Sequence, residues 1–254
     1  MEISEVYTIW LREIKRFLRA KPRIIGNIMM PFIWLVIMGV GLNASFTIPG
    51  AKGNYLNFIS PGIIGMTLLF SSLFSAISVI WEKQFGFLKE ILVAPISRTS
   101  IVLGKVVGGA TISTFNALIV VVIAIILGGI NLSSLSVVSV FSSFLFMILI
   151  SATFVSIGLI MASRLNNLEG FQVIMSTLVM PLFFLSGAFF PLQNAPLWMR
   201  VLSHVDPLMY GVDGLRGSLI GTSQFSILLD ASVLIGFSVV LVTLSSFMFR
   251  KMNA

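Results

Sequence analysis

The side chains that could carry chemistry are sparse in this sequence: nine Asp and Glu, sixteen Lys and Arg, one histidine and no cysteine in 254 residues. His204 stands alone, so a two-histidine zinc motif is impossible, and it reads as a loop residue packing beside Trp198. Without cysteine there are no disulfides and no thiolate metal ligands. No G-x-S-x-G elbow is present to frame a nucleophilic serine. There is also no G-x-x-x-x-G-K-[ST] phosphate cradle, because Gly104-Lys105 is followed by Val106 and opens an apolar run. Ionisable groups at mid-membrane depth would mark a proton relay or an ion pathway. Here Lys105, Glu169 and Asp230 fall at the ends of apolar runs. The pattern argues against intramembrane catalysis, against ion coupling and against direct use of ATP.

The elements that hold these groups are strongly apolar. Hydrophobic residues make up 57% of the chain, charged residues only 10%, and the mean hydropathy is +1.06, whereas ordinary domains carry roughly 25% charged residues. The apolar residues come in runs close to the ~20 needed to cross a bilayer as a helix. Six runs, at about 24–43, 60–81, 100–127, 137–163, 171–190 and 225–249, predict an all-α polytopic membrane protein with six transmembrane helices. Pro31 inside the first predicts a kink, and Ser60-Pro61-Gly62 suits the first turn of the second. Thirteen of the sixteen Lys and Arg fall in segments that this topology places on one side, with only Lys52, Arg200 and Arg216 on the other. That bias puts both termini in the cytoplasm of a multi-pass plasma-membrane protein. It also accounts for the net charge of +7 without nucleic acid, since the basic residues stand between the spans rather than in a stripe interleaved with aromatics.

Residues 1–23 are polar with an amphipathic rhythm: Val6, Ile9, Trp10, Ile14, Phe17 and Leu18 recur at three- and four-residue spacings, with Arg12, Lys15, Arg16 and Arg19 on other faces. Two uses fit, a helix lying in the interface with its apolar face in lipid, or a charged flank orienting the first span. Ser71, Ser72, Ser75 and Ser78 along the second span, and Thr111, Ser113, Thr114 and Asn116 along the third, could bond helix to helix or line a wet path. Gly104 and Gly108 form a small-xxx-small pair that admits close helix packing.

Trp81 to Lys105, WEKQFGFLKEILVAPISRTSIVLGK, interrupts the apolar runs. Its first part, Glu82 to Ala94, predicts a three-turn amphipathic helix ended by Pro95. Phe85, Leu88, Ile91 and Leu92 fall on one side, and Glu82, Lys83, Gly86, Lys89 and Glu90 on the other. It is too short and too charged to span. Either it lies on the membrane as a connector, or it inserts its apolar ridge into a groove on another protein. Between the last two spans, residues 191–224 are too apolar for a plain polar loop. Asn194 and Pro196 suit a helix start there, Trp198, Val201, Leu202 and Val205 give an apolar face, and Asp206-Pro207 breaks it.

The interrupted stretch resembles the cytoplasmic signature of type-2 ABC exporter permeases, the ABC-2 family that includes drug-resistance, nodulation-factor and polysaccharide exporters. The matching positions are Glu82, Lys83, Gly86, Leu88, Leu92, Pro95, Gly104 and Lys105. A second block, Phe184 to Gly217, is similar to that family's segment between the last two spans through its Ser-Gly-x-x-Phe-Pro, Asp-Pro-Leu-x-Tyr and Leu-Arg portions. The resemblance covers essentially the whole chain and does not specify a substrate.

It implies a transmembrane domain over 24–251, preceded by an interfacial helix over 1–23. A cytoplasmic coupling helix over 82–94 would dock a separate ABC ATPase subunit. Phe85, Leu88 and Leu92 would form the docking ridge, and Glu82 and Lys89 its polar rim. Pro191, Trp198, Asp206, Pro207, Tyr210 and Arg216 would belong to a pair of outer re-entrant helices. A second permease copy would complete a homo- or heterodimer in the lipid bilayer. ATP and Mg would be held by the partner ATPase, with no cofactor on this chain, and the complex would export an amphipathic or lipid-linked substrate. Two rivals remain open. One is a polysaccharide or lipid-oligosaccharide exporter with Phe183, Phe184, Phe189 and Phe190 as a stacking surface. The other is a non-transporting membrane scaffold.

Overall fold

The computed structural model describes residues 3–43, 54–93, 96–165 and 167–251. Their regular structure is helical throughout, with no strand among the described residues. In chain order the helices are α1 (Ile3–Arg19), α2 (Lys21–Trp34), α3 (Tyr55–Ser75), α4 (Ile77–Gln84), α5 (Phe87–Val93), α6 (Arg98–Ile126), α7 (Val137–Arg164), α8 (Leu168–Leu185), α9 (Leu197–Ser203), α10 (Pro207–Ile220) and α11 (Ile227–Arg250). Five elements are long and apolar enough to cross a membrane: α3 with α4, then α6, α7, α8 and α11. The bent pair α1–α2 would make a sixth.

Helix starts are set by short polar side chains. Ser97, Ser136 and Ser226 each accept the amide three residues on, at the heads of α6, α7 and α11. Asn54 and Asn57 form a reciprocal capping box that begins α3 at Tyr55. The second span therefore starts earlier than the predicted 60, and Pro61 lies inside the helix rather than in its first turn. In the first span the chain passes Pro31 as α-helix and widens into a π-helix over Leu35–Val40.

Helix α3 is the axis of the bundle. Almost every residue from Tyr55 to Leu73 is buried, against α2, α6, α7 and α10. Polar uncharged residues supply cross-helix bonds: Ser72 Oγ donates to Ser113 Oγ at 3.0 Å and Asn116 Nδ2 to Ser71 Oγ at 2.8 Å, joining α3 to α6. Thr153 and Ser238 pair at 2.7 Å between α7 and α11. These residues act as helix-joining groups inside the bundle. By contrast α8 and α11 expose most of their surfaces, through side chains such as Val173, Ile174, Leu228, Val239 and Val240.

The bundle has two unlike ends. At one, Arg98 Nη1 donates to the Arg250 carbonyl at 2.7 Å, joining the start of α6 to the close of α11. Lys83 at the close of α4 donates to the Ala162, Ser163 and Leu165 carbonyls at 2.8, 2.9 and 3.1 Å, where α7 ends. A lysine over the unpaired carbonyls of a helix C-terminus satisfies them and meets the favourable end of the helix dipole. Basic residues that are scattered through the sequence thus collect at this charged end. The far end carries α9 and α10.

Candidate docking site and the two polar clusters

At roughly 1.5 Å per residue the α3–α4 element is about 45 Å long, well beyond the ~30 Å of hydrocarbon. Its last turns, with Glu82 and Lys83, stand at the charged end. Glu82 is nevertheless buried, at 5% exposure. It receives Lys105 Nζ of α6 at 2.8 Å, Arg16 Nη1 of α1 at 3.3 Å, and Arg12 of α1. Lys105, only 4% exposed, also reaches Glu13 Oε1 of α1 at 3.3 Å, and Arg16 bonds Glu13 as well. Two carboxylates and three cations from three helices form one network, with Lys105 between the acids. Burial alone would push the Glu13 carboxyl up; Lys105, Arg16 and Arg12 more than offset that and hold it below the ordinary carboxylate range.

The fold reaches this geometry through α1. Ile9, Glu13 and Phe17, four residues apart, form its buried face. A β-carbon on Gly104 would stand 2.6 Å from Ile9 Cβ, and one on Gly108 2.9 Å from Glu13 Cβ, while the Phe17 and Phe115 rings meet edge-on at 6.3 Å. The contacts advance in step, so α1 lies lengthwise on α6 with the two glycines beneath it. The seam of Ile9 and Phe17, expected to rest on lipid, rests on protein. Trp10 Nε1 donates to Thr111 Oγ1 at 3.1 Å on the same contact.

The coupling segment differs from the single helix predicted over 82–94. The chain closes α4 at Gln84, turns through Phe85 and Gly86, and restarts as α5. Gly86 has φ +74°, the left-handed conformation that costs a residue with a β-carbon about 1–2 kcal/mol. It breaks the helix because glycine can take that turn. The break redistributes the expected roles. Glu82 belongs to the buried network rather than to a polar rim, and Lys83 caps α7. Leu88 is buried in the core, so it is no part of an exposed ridge. Among the described side chains of this segment, the exposed apolar ones are Phe85, at 80%, Phe87 and Val93. The Arg12 guanidinium lies over the Phe87 ring at 5.1 Å, tying α5 to the network. Pro95 lies outside the described residues, and for Lys89 and Leu92 only the helical backbone is described.

At the far end Pro191 precedes a short 3-10 turn, Leu192–Asn194, and Pro196 rather than Asn194 stands at the head of α9. Trp198 is exposed together with Val201, Leu202 and Val205. Helix α9 closes at Ser203, and Asp206 caps the start of α10: its Oδ1 accepts the Leu208 amide at 2.9 Å, with Pro207 at the first helical position. Burial pushes its carboxyl up to about 8, against the lowering effect of that amide. Tyr210 donates to the His204 carbonyl at 3.0 Å. His204 itself meets Phe225 edge-on at 6.0 Å, not Trp198 as the sequence suggested. Arg216 is half-buried, with Nη2 on the Gly187 carbonyl at 3.0 Å and its guanidinium 4.1 Å from the Phe58 ring centre. Burial lowers it to about 10, which leaves it a cation at neutral pH. Sequence reasoning missed Asp213, which accepts the Gln224 and Phe225 amides.

Between α2, α3 and α8 an open cavity of about 280 Å³ is lined by Trp34, Phe70 and Phe74 together with Asn27, Thr67 and Ser71. Among the described residues no three His, Cys, Asp or Glu side chains come together as metal ligands.

The described residues form a bundle of helices long and apolar enough to span a membrane, with a charged end that carries an exposed apolar segment. The chain belongs to the ABC-2 type transporter family, which it matches over residues 4–220. It is 31% identical over 246 residues to a protein named as a transport permease, ycf38 of Cyanophora paradoxa, covering 92% of this chain and 84% of that one. It is 25% identical over 235 residues to the inner membrane transport permease YadH of Escherichia coli K12, covering 91% and 89%. To the probable multidrug ABC transporter permease YbhR of the same organism it is 27% identical over 161 residues, covering 63% and 43%. The protein is the membrane permease of an ABC transporter.

Proposed function

We propose that this permease is the transmembrane half of an ATP-driven exporter and that the α4–α5 corner receives a separate ATPase subunit. The observation that carries this reading is the exposed ridge of Phe85, Phe87 and Val93 at the charged end, anchored by Glu82, Lys105 and Arg12 to three helices. An exposed apolar ridge fits a helix-in-groove contact. Its rigid attachment lets a push on α5 reach α1, α3 and α6 together, which shifts the balance between states open to either side. Basic residues gathered at that end support a cytoplasmic location for it and for both termini. ATP and Mg sit on the ATPase, and this chain binds no cofactor. Two permease copies and two ATPases make the working unit in the plasma membrane.

The substrate is amphipathic or lipid-linked. The cavity between α2, α3 and α8 supports this, since rings and small polar groups share one wall. A sugar-stacking passage fits less well. Phe183, Phe184 and Phe189 pack on one another at 4.8–6.1 Å, and Phe189 on Trp34 at 5.1 Å, so these rings spend their faces on each other.

Phe85→Asp and Val93→Asp leave the buried network untouched and test the docking. Each should insert normally and weaken retention of the ATPase by at least about tenfold, as expected for an interface anchor worth more than ~1.4 kcal/mol. The readouts are co-purification and substrate-stimulated ATP hydrolysis. Full retention and normal stimulation in both variants would remove this ridge from the docking site.

A further inference from the structure

Asp213 on α10 and Asp230 in the first turn of α11 are buried together at the far end. Asp213 is well supplied with donors: the Gln224 amide reaches its two oxygens at 2.9 and 2.8 Å, and the Phe225 amide lies at 2.8 Å. Asp230 is different. It is 0% exposed, and neither of its oxygens has a donor among the described residues, yet its carboxyl lies against that of Asp213. Two carboxylates cannot bond each other, since each only accepts; a proton on one of them turns it into a donor.

Among the described residues, the other groups facing the pair do not relieve it. Arg216 is engaged with the Gly187 carbonyl and the Phe58 ring, and its field acts on Asp213. Tyr210 gives its hydroxyl proton to the His204 carbonyl. Helices α6 and α7 also pack on α11, but their charged residues, Arg98, Lys105 and Arg164, stand at the other end. The first turn of a helix favours an anion, but that is a weak field beside the penalty for an unpaired carboxylate out of water. With Arg216 and two amides on Asp213, the anion belongs on Asp213 and the proton on Asp230.

We propose that Asp213 and Asp230 form a proton-binding site, in which Asp230 carries the proton and donates it to the Asp213 carboxylate. The bond fastens the head of α11, and the connection from Gly221 to Ser226, to α10. Removing the proton leaves two adjacent buried anions and drives the head of α11 away from α10. The site lies apart from the docking ridge and needs no assumption about the substrate or the ATPase.

Infrared spectroscopy of the full chain in nanodiscs tests it. The measurement is made on Asp206→Asn protein, because the raised carboxyl of Asp206 would add an acid band of its own at neutral pH. In that background a hydrogen-bonded carboxylic-acid C=O band should remain at neutral pH. Adding Asp230→Asn should remove that band and keep the stability of the parent, because the amide still donates to Asp213. Adding Asp213→Asn should remove it as well, because the new amide donates to Asp230 and lets it ionise. An Asp206→Asn protein without the band, or a band that survives when Asp230→Asn is added, overturns the proposal. Should Asp230→Asn fail to fold, the Asp213→Asn spectrum decides, and a band unchanged there overturns it equally.

Discussion

Replacing Lys105 with methionine should cost the folded protein about 1–3 kcal/mol, because it removes the one buried cation between two buried carboxylates and leaves only the partly exposed arginines to offset them. Lys105 holds Glu82 at 2.8 Å and Glu13 at 3.3 Å, and all three side chains are almost fully buried. Arg12 and Arg16 remain beside the acids, but they are 33% and 40% exposed, so water weakens what they return. The methionine fills the volume, which isolates the electrostatic loss from a cavity. Adding Glu13→Gln and Glu82→Gln to Lys105→Met removes the stranded charges and should recover most of the stability, since apolar or neutral replacement of a whole buried network is often close to neutral. Equilibrium unfolding of the wild type, the single variant and the triple variant in detergent measures this. A Lys105→Met protein as stable as wild type would mean that the network is held by its exposed arginines alone. The single variant should also uncouple ATP hydrolysis from substrate, whereas the triple variant separates stability from coupling.

The second large effect is steric. Gly108→Leu places a side chain where a β-carbon alone would stand 2.9 Å from Glu13 Cβ. Overpacking of this kind costs about 1–3 kcal/mol. Here it also lifts α1 from α6 and pulls Glu13 off Lys105, so the combined loss should reach about 3 kcal/mol or more. The variant should unfold earlier and lose protection from proteolysis within Ile3–Arg19. Gly236→Leu is the control: a β-carbon on Gly236, in α11, meets nothing within 4 Å. If the two leucine variants behave alike, α1 does not pack on Gly104 and Gly108 in the folded protein.

The spanning helices were legible because each is a run of apolar residues of bilayer length, and hydropathy records that directly. Their ends moved where local capping decided them, as at Asn54 and Asn57, which begin α3 ahead of the proline that looked like a start signal. The buried network left a trace that went unread. Glu13 stands between Ile9 and Phe17 at four-residue spacing, an acid on an apolar seam, and Lys105 sits just inside an apolar run. Such a pattern signals a buried charge with a partner, but not which partner, because the three helices meet only in the fold. The coupling segment was half legible. Its amphipathic period was visible, but period says which residues share a face and not which face is covered, so Leu88 was assigned to the ridge. Gly86 was the available signal for a break. Asp213 gave little warning, lying between Val212 and Gly214 in a segment whose burial depends on α7 and α11.

The claim at the centre of this account is that α5 and the corner before it contact the ATPase. Placing a photoreactive amino acid at Phe85, Val93, Leu88 or Trp198, one at a time, in the permease co-expressed with its ATPase tests this directly. The account predicts cross-links to the ATPase from Phe85 and Val93, and none from buried Leu88 or from Trp198 at the far end. Cross-links from Trp198, or none from Phe85 and Val93 in a complex that still transports, would contradict it.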